Sequence, residues 1–259
     1  MTFDQYIDNP MGKANAVFAA RHTYKVEYSQ KFDALYMREA GKIDRMLYYD
    51  KAHDEYYAHI KIPSESLDKF YYDVVIKFYT NDNGIRTNSN LKLYDVQFFS
   101  NDPAFIYTYL YVFRKHDMLI EELKSKCPRA SLTIRPSERN AYEVPGYVKS
   151  IYFAYLLMSR SDLFLKSTYN NFGKKYSKSA LLSQVASGEQ KMDERHRLEA
   201  KEKLKKKNEK ANRERITSQK PVTHNFTKNI RTVKPLGNST VKEIHRITPK
   251  AKIGRKKTK

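Results

Sequence analysis

Tryptophan is absent from this 259-residue chain, and cysteine occurs once, at Cys127. A single cysteine excludes a disulfide framework within the chain and fits a reducing compartment. Followed by Pro128, it reads as a small buried or loop residue, not a nucleophile. No run reaches the roughly 18 apolar residues needed to span a bilayer. The opening MTFDQYIDNPMG has acids early and no basic segment leading into an apolar stretch, so it does not read as a secretory signal. A soluble protein made in the cytosol is the expectation, with no membrane partner. Catalytic signatures are missing too: no Walker A, GxGxxG, HExxH, GxSxG or kinase motif occurs. There is no CxxC, and the 7 His are scattered without metal-ligand spacing. No enzyme activity, cofactor or metal is expected.

What is present is unevenly distributed. Residues 1–187 hold 26 basic and 21 acidic groups, whereas residues 188–259 hold 23 basic and 8 acidic groups. The aromatics divide the other way: of 21 Tyr and 13 Phe, only Phe226 lies beyond residue 187. The pattern predicts an α+β body domain over 1–187, a charged helix or spacer over 188–216, and an extended basic arm over 217–259. The body is long enough for one ordinary core.

The body opens with scattered apolar residues (Phe3, Tyr6, Ile7, Val17, Phe18) around Pro10 and Gly12, an irregular or partly helical start. Over 29–40, Phe32, Leu35, Tyr36 and Met37 fall near helical spacing, and Gly41 is a C-cap signal. Four strand candidates follow, at 45–49, 55–62, 69–80 and 91–100. They are rich in aromatic and β-branched residues, and polar turns such as the one at Asn83-Gly84 separate them. Such turns predict an antiparallel sheet. Ser100-Asn101-Asp102-Pro103 is a helix start, leading into the apolar 104–113, with a further turn or two over 118–126. A second apolar helix covers 147–159, with Tyr147, Ile151, Tyr155 and Met158 on one stripe. Sheet first, then helices against one face, is an α+β order.

Residues 188–216 are dominated by good helix formers, with Glu199–Lys203 and Glu202–Lys206 in the favourable i, i+4 order. They read either as a solvated charged helix or as a helix lying on phosphate. Residues 217–259 lack helical periodicity. Single apolar residues, namely Val222, Phe226, Ile230, Val233, Leu236, Val241, Ile244 and Ile247, recur between basic ones. An extended arm laid along a partner needs such anchors; a purely electrostatic tail does not. Lys205, Lys206, Lys207, Arg213, Arg215, Arg255, Lys256 and Lys257 are the candidate contacts to an acidic partner or nucleic acid.

Within the body, His59 reads as a hydrogen-bonded structural residue. Asp73 and Asp95 are the only hint of a paired-carboxylate metal site. Tyr71, Tyr72, Tyr79, Phe98 and Phe99 could form a stacking platform, though core packing explains them as well.

The segments NPMGKANAVF (9–18), FYYDVVIKFY (70–79), YDVQFFSNDPAFIYTYLYVF (94–113) and VPGYVKSIYFAYLL (144–157) resemble virion proteins of crAss-like short-tailed bacteriophages, most of all the small neck and tail ring proteins below the portal. The resemblance spans about residues 1–180. It implies a non-enzymatic structural protein located in the virion and present in many copies, a homo-oligomeric ring closed by heterologous contacts. Its arm would dock on neighbouring subunits, the portal or other neck and tail proteins, with packaged DNA as a further contact. The alternative is a cytosolic accessory protein that binds nucleic acid through the basic arm.

Overall fold

A computed structural model describes residues 1–8, 26–36, 43–135, 143, 145–146 and 148–218. The expectations placed on Pro10, Gly12, Val17, Phe18, Met37, Gly41 and Tyr147, and on everything beyond residue 218, lie outside these residues. The chain divides into a compact unit, Met1–Ala211, and a second unit, Asn212–Lys259. The first unit thus includes the opening turns of the charged segment.

The architecture is α+β. Helix α1 (Phe3–Asp8) opens with a reciprocal cap in which the Thr2 and Gln5 side chains bond each other's backbone amides at 3.2 and 2.9 Å. Helix α2 covers residues 26–36. Strands β1 (Arg45–Asp50), β2 (Glu55–Pro63), β3 (Tyr71–Tyr79) and β4 (Asp95–Ser100) then form one antiparallel sheet in the order β1-β2-β3-β4. Before β4, Asn83–Arg86 makes a short helix α3, capped by Asp82. Residues 91–93, expected to begin the last strand, form a 3-10 turn instead. The Asn90 side chain accepts from the Lys92 amide at 2.9 Å and closes that turn.

Register places Tyr56, Ala58, Ile60, Ile76, Phe78, Val96 and Phe98 on one sheet face. Phe3, Tyr6, Phe113 and Phe164 pack there, with Phe3 and Tyr6 each 4.9 Å from the Phe98 ring centroid. Such tilted aromatic pairs add about 0.5–1.5 kcal/mol beyond the area they bury. Helix α6 (Lys149–Arg160) covers this face, and Ser150 shares a 3.1 Å hydrogen bond with Ser100. The opposite face presents Tyr57, His59, Val75 and Phe99, all buried as well. Helices therefore do not lie against one face alone. Residues 118–126 and α8 (Lys178–Ser183) supply the second cover, through Ile120, Leu123, Leu181 and Lys178. With both faces buried, Phe98 and Phe99 are core residues and offer no stacking platform.

Three helical expectations are corrected in detail. The stretch after Pro103 begins with a π turn (Phe105–Tyr109) before α4 (Leu110–Lys115), and Tyr107 is 50% exposed, so it is not apolar-buried all round. Residues 118–120 run alongside β4, where the Phe98 amide donates to the Met118 carbonyl at 2.7 Å; only Glu121–Lys126 turns, as 3-10 helix. The short helix α5 (Arg129–Thr133) follows. In α6 the buried face is wider than the expected stripe and includes Phe153 and Leu157, because α2 covers its outer side. Phe32 lies 5.5 Å from the Phe153 ring, and Ser29 bonds the Tyr152 hydroxyl at 3.0 Å. Helix α7 (Lys166–Phe172) and a Gly173–Lys175 turn pass along the outer side of β1.

Candidate functional site

The charged segment is a single helix, α9 (Gly188–Ser218). Its start is fixed by Ser187-x-x-Gln190: the Ser187 hydroxyl accepts from the Gln190 amide at 3.2 Å, and the Gln190 side chain accepts from the Ser187 amide at 3.0 Å. Just before it, buried Asp73 on β3 gathers three partners. His59 Nε2 lies 2.9 Å away, Asn101 Nδ2 donates at 2.7 Å, and the Ala186 amide donates at 3.1 Å. Burial pushes the Asp73 carboxyl up, but the His59 and Ala186 bonds outweigh it and hold it below its ordinary value. Asn101 also donates to the Ala186 carbonyl at 3.2 Å. The link into α9 is thus tied to the sheet through both groups of one peptide residue.

The first turns of α9 then seat on the body. Lys191 lies 5.1 Å over the Phe70 ring, and Arg195 donates to the Tyr72 hydroxyl at 3.0 Å and to Glu199 at 2.8 Å. Farther on, residues 203–214 are all exposed, Lys205, Lys206, Lys207 and Arg213 among them. Lys203, Lys206, Lys207 and Lys210 recur at i, i+3, i+4 and i+7, which sets four cations on one helical stripe. Arg215 lies on the helix. The anchors Val222, Phe226, Ile230, Val233, Leu236, Val241, Ile244 and Ile247, and the cations Arg255, Lys256 and Lys257, lie outside the described residues.

The residues weighed for chemistry do not converge. Asp95 pairs with the amino terminus at the far end of β4, opposite Tyr79, whereas Asp73 sits near Ser100 at the other end. Among the described residues, no three His, Cys, Asp or Glu side chains come together as metal ligands. Cys127 is buried, and desolvation pushes its thiol up to about 12, which suits the core reading.

Two clusters carried no sequence signal. Asp54, with φ 54° at the β1–β2 turn, accepts from Tyr56 at 2.9 Å and Tyr94 at 2.6 Å, with Lys166 at 3.7 Å. Burial lowers the Lys166 ammonium and outweighs Asp54. Both Asp54 oxygens are occupied, so the cluster ties the hairpin turn to α7. The second cluster is a cavity of about 330 Å³ at the outer edge of β1, where α7 and the turn after it diverge from the strand. Its apolar wall includes Leu47, Leu163, Phe172 and Tyr176, contributed from positions more than 100 residues apart.

No protein-family model matches the chain, and no curated protein and no solved structure matches it.

Proposed function

We propose that this protein is a non-enzymatic structural component of a bacteriophage neck or tail, assembled in many copies near the portal, with residues 217–259 docking on neighbouring subunits or the portal. The division of labour along the chain carries this reading. Among the described residues, the large buried side chains all belong to residues 1–185, so the body holds a core of its own. The arm instead holds single apolar residues among cations, a pattern suited to lying on another surface. The resemblance over residues 1–180 supplies the phage setting. A tethered arm raises avidity without enlarging the body.

The exposed stripe of Lys203, Lys206, Lys207 and Lys210 supports a second reading, contact with packaged or free nucleic acid. Native mass spectrometry of the full chain, with and without short duplex DNA at two salt concentrations, separates the two. Discrete oligomers that form without DNA and vanish when the chain is cut after Ala211 support the structural reading. A monomer that binds DNA with a steep salt slope refutes it in favour of the second. The cut belongs after Ala211 because ending the chain at residue 187 would also strip Lys191 and Arg195 from their seats on Phe70 and Tyr72.

A further inference from the structure

We propose that the open stretch of the β1 edge at residues 45–47, with the cavity beside it, is the acceptor site for residues 222–234 of a second copy of this chain. Those residues add to the sheet as an edge strand and place Phe226 in the cavity. The inference rests on the multi-copy structural reading and names the surface that receives the arm.

Backbone geometry turns alternate main-chain groups of this edge away from β2, with Arg45 exposed and Leu47 6% exposed. The Lys61 amide donates to the Asp44 carbonyl at 3.0 Å, so these two form a hydrogen-bonded pair of the β1–β2 ladder. Such pairs alternate along an antiparallel ladder. With Arg45 opposite Ile60 and Leu47 opposite Ala58, the amides and carbonyls of Arg45, Leu47 and Tyr49 face away from β2. The turn at Gly173 closes over Tyr49: a Cβ on Gly173 would lie 3.3 Å from the Tyr49 nitrogen. Among the described residues, no loop or side chain bonds the outward groups of Arg45 and Leu47. The other edge is covered. Met1 accepts from the Val96 amide at 3.0 Å, and residues 118–120 exchange bonds with Phe98 at 2.7 and 3.2 Å.

Beside the open groups, Phe172 is 57% exposed and Tyr176 40%, so the cavity's apolar wall meets water. Arg45, Asp162, Thr168 and Lys175 line the rest of the cavity, so it pairs an apolar wall with a polar one. Unpaired strand groups next to such a pocket are what strand addition uses: main-chain bonds for affinity, the pocket for selection. The arm fits this acceptor. Pro221 and Pro235 bound a proline-free run, 222–234. Proline cannot donate to a ladder, so an added strand is confined to that run. Val222, Phe226 and Ile230 share one strand face with His224 and Lys228, and Thr223, Asn225, Thr227 and Asn229 lie on the other. Phe226 lies eight residues after Ser218, a span of about 26 Å when extended.

The test uses the full-length protein. Mass photometry across a concentration series compares wild type with Arg45→Pro, which deletes an outward amide at an exposed position, and with Phe172→Asp and Phe226→Asp. Ile134→Asp, at a site 66% exposed elsewhere, is the control. Each of the first three should raise the concentration for half-dissociation by about tenfold or more, the scale of one lost main-chain bond or anchor, while the control leaves it unchanged. Oligomers indifferent to all three overturn the docking site and leave the multi-copy reading standing. Wild-type protein that stays monomeric overturns both. Cross-linking answers independently of stability. One preparation carries Phe172→Cys, the other Phe226→Cys, and native Cys127 stays buried and silent. Mixing under mild oxidation should give the heterodimer in preference to either homodimer; a mixture without that preference overturns docking between copies.

Discussion

Replacing Glu122 by Gln tests the packing of the second sheet face, and its effect is calculable. The Glu122 carboxylate accepts from Lys178 at 2.6 Å and from the Tyr57 hydroxyl at 3.0 Å, with Lys77 at 3.8 Å. Burial pushes the acid up, but the Lys178 bond, a backbone amide and Lys77 outweigh it, and it moves from 4.5 down to about 2. At about 1.36 kcal/mol per pH unit, that difference sets a ceiling of about 3.4 kcal/mol. The side chain is 31% exposed, and solvent screening reduces the contribution to about 1–2 kcal/mol. The folded value lies below the unfolded one, so this stability is fully present above 4.5 and is lost as pH falls towards 2. Urea unfolding of wild type and Glu122→Gln at about pH 7 and about pH 3 reads the gap directly; it should shrink to less than half at the lower pH. A gap that stays constant across this range would refute the assignment of the stability to the Lys178–Glu122–Tyr57 contact.

Three further outcomes follow from the core and the α9 clasp. Phe98→Ala empties the space between Phe3, Tyr6 and Phe113 and should cost about 3–5 kcal/mol in urea unfolding. Asp73→Ala leaves His59 and Asn101 buried without their carboxylate and unties Ala186. It should cost about 3–5 kcal/mol, and tryptic cleavage at Lys191 or Arg195 should outpace that in Phe98→Ala of matched stability; equal cleavage would contradict the clasp. The Cys127 thiol, pushed up to about 12, should not react with a disulfide reagent near pH 8 until denaturant is added.

The sheet was legible because polar segments separate runs of aromatic and β-branched residues: β3 and β4 lie within the expected segments, and β1 and β2 each run one residue beyond theirs. Its second cover was not. Along β2, Tyr57, His59 and Lys61 alternate with apolar residues, a local pattern that does not reveal a second cover. Tyr57 and His59 are nevertheless buried, because Glu122 and Asp73, distant in sequence, satisfy their polar atoms. The start of β4 was misread for a local reason. LKLYD has strand-like alternation, yet one side-chain acceptor on Asn90 favours a turn. In α9, helix formers and the Ser187–Gln190 cap are written in the sequence. The seating of Lys191 and Arg195 is not, since Phe70 and Tyr72 lie on the far side of the intervening helices in the chain. The cavity beside β1 is the least legible feature of all: Leu47, Phe172 and Tyr176 form no local pattern, whereas the anchors proposed to fill it are visible only as sequence.

Sheet edges recruit other chains unless they are blunted, and the two edges here are treated differently. The β4 edge is paired along its length by the amino terminus and residues 118–120. On β1 the turn at Gly173 closes over Tyr49, where a Cβ would sit 3.3 Å from the Tyr49 nitrogen and in ordinary contact with the Tyr48 backbone. Among the described residues, nothing bonds the outward main-chain groups of Arg45 and Leu47, which lie beside a cavity with one apolar wall. An arginine at the start of the open stretch is a common guard against indiscriminate pairing. Under the proposed docking, an edge that is closed, then left unbonded at two outward residues, then guarded by charge would admit one well-matched strand and discourage a growing stack. That selectivity is what a closed ring of identical subunits requires, because each subunit must accept a single arm and offer a single arm onward.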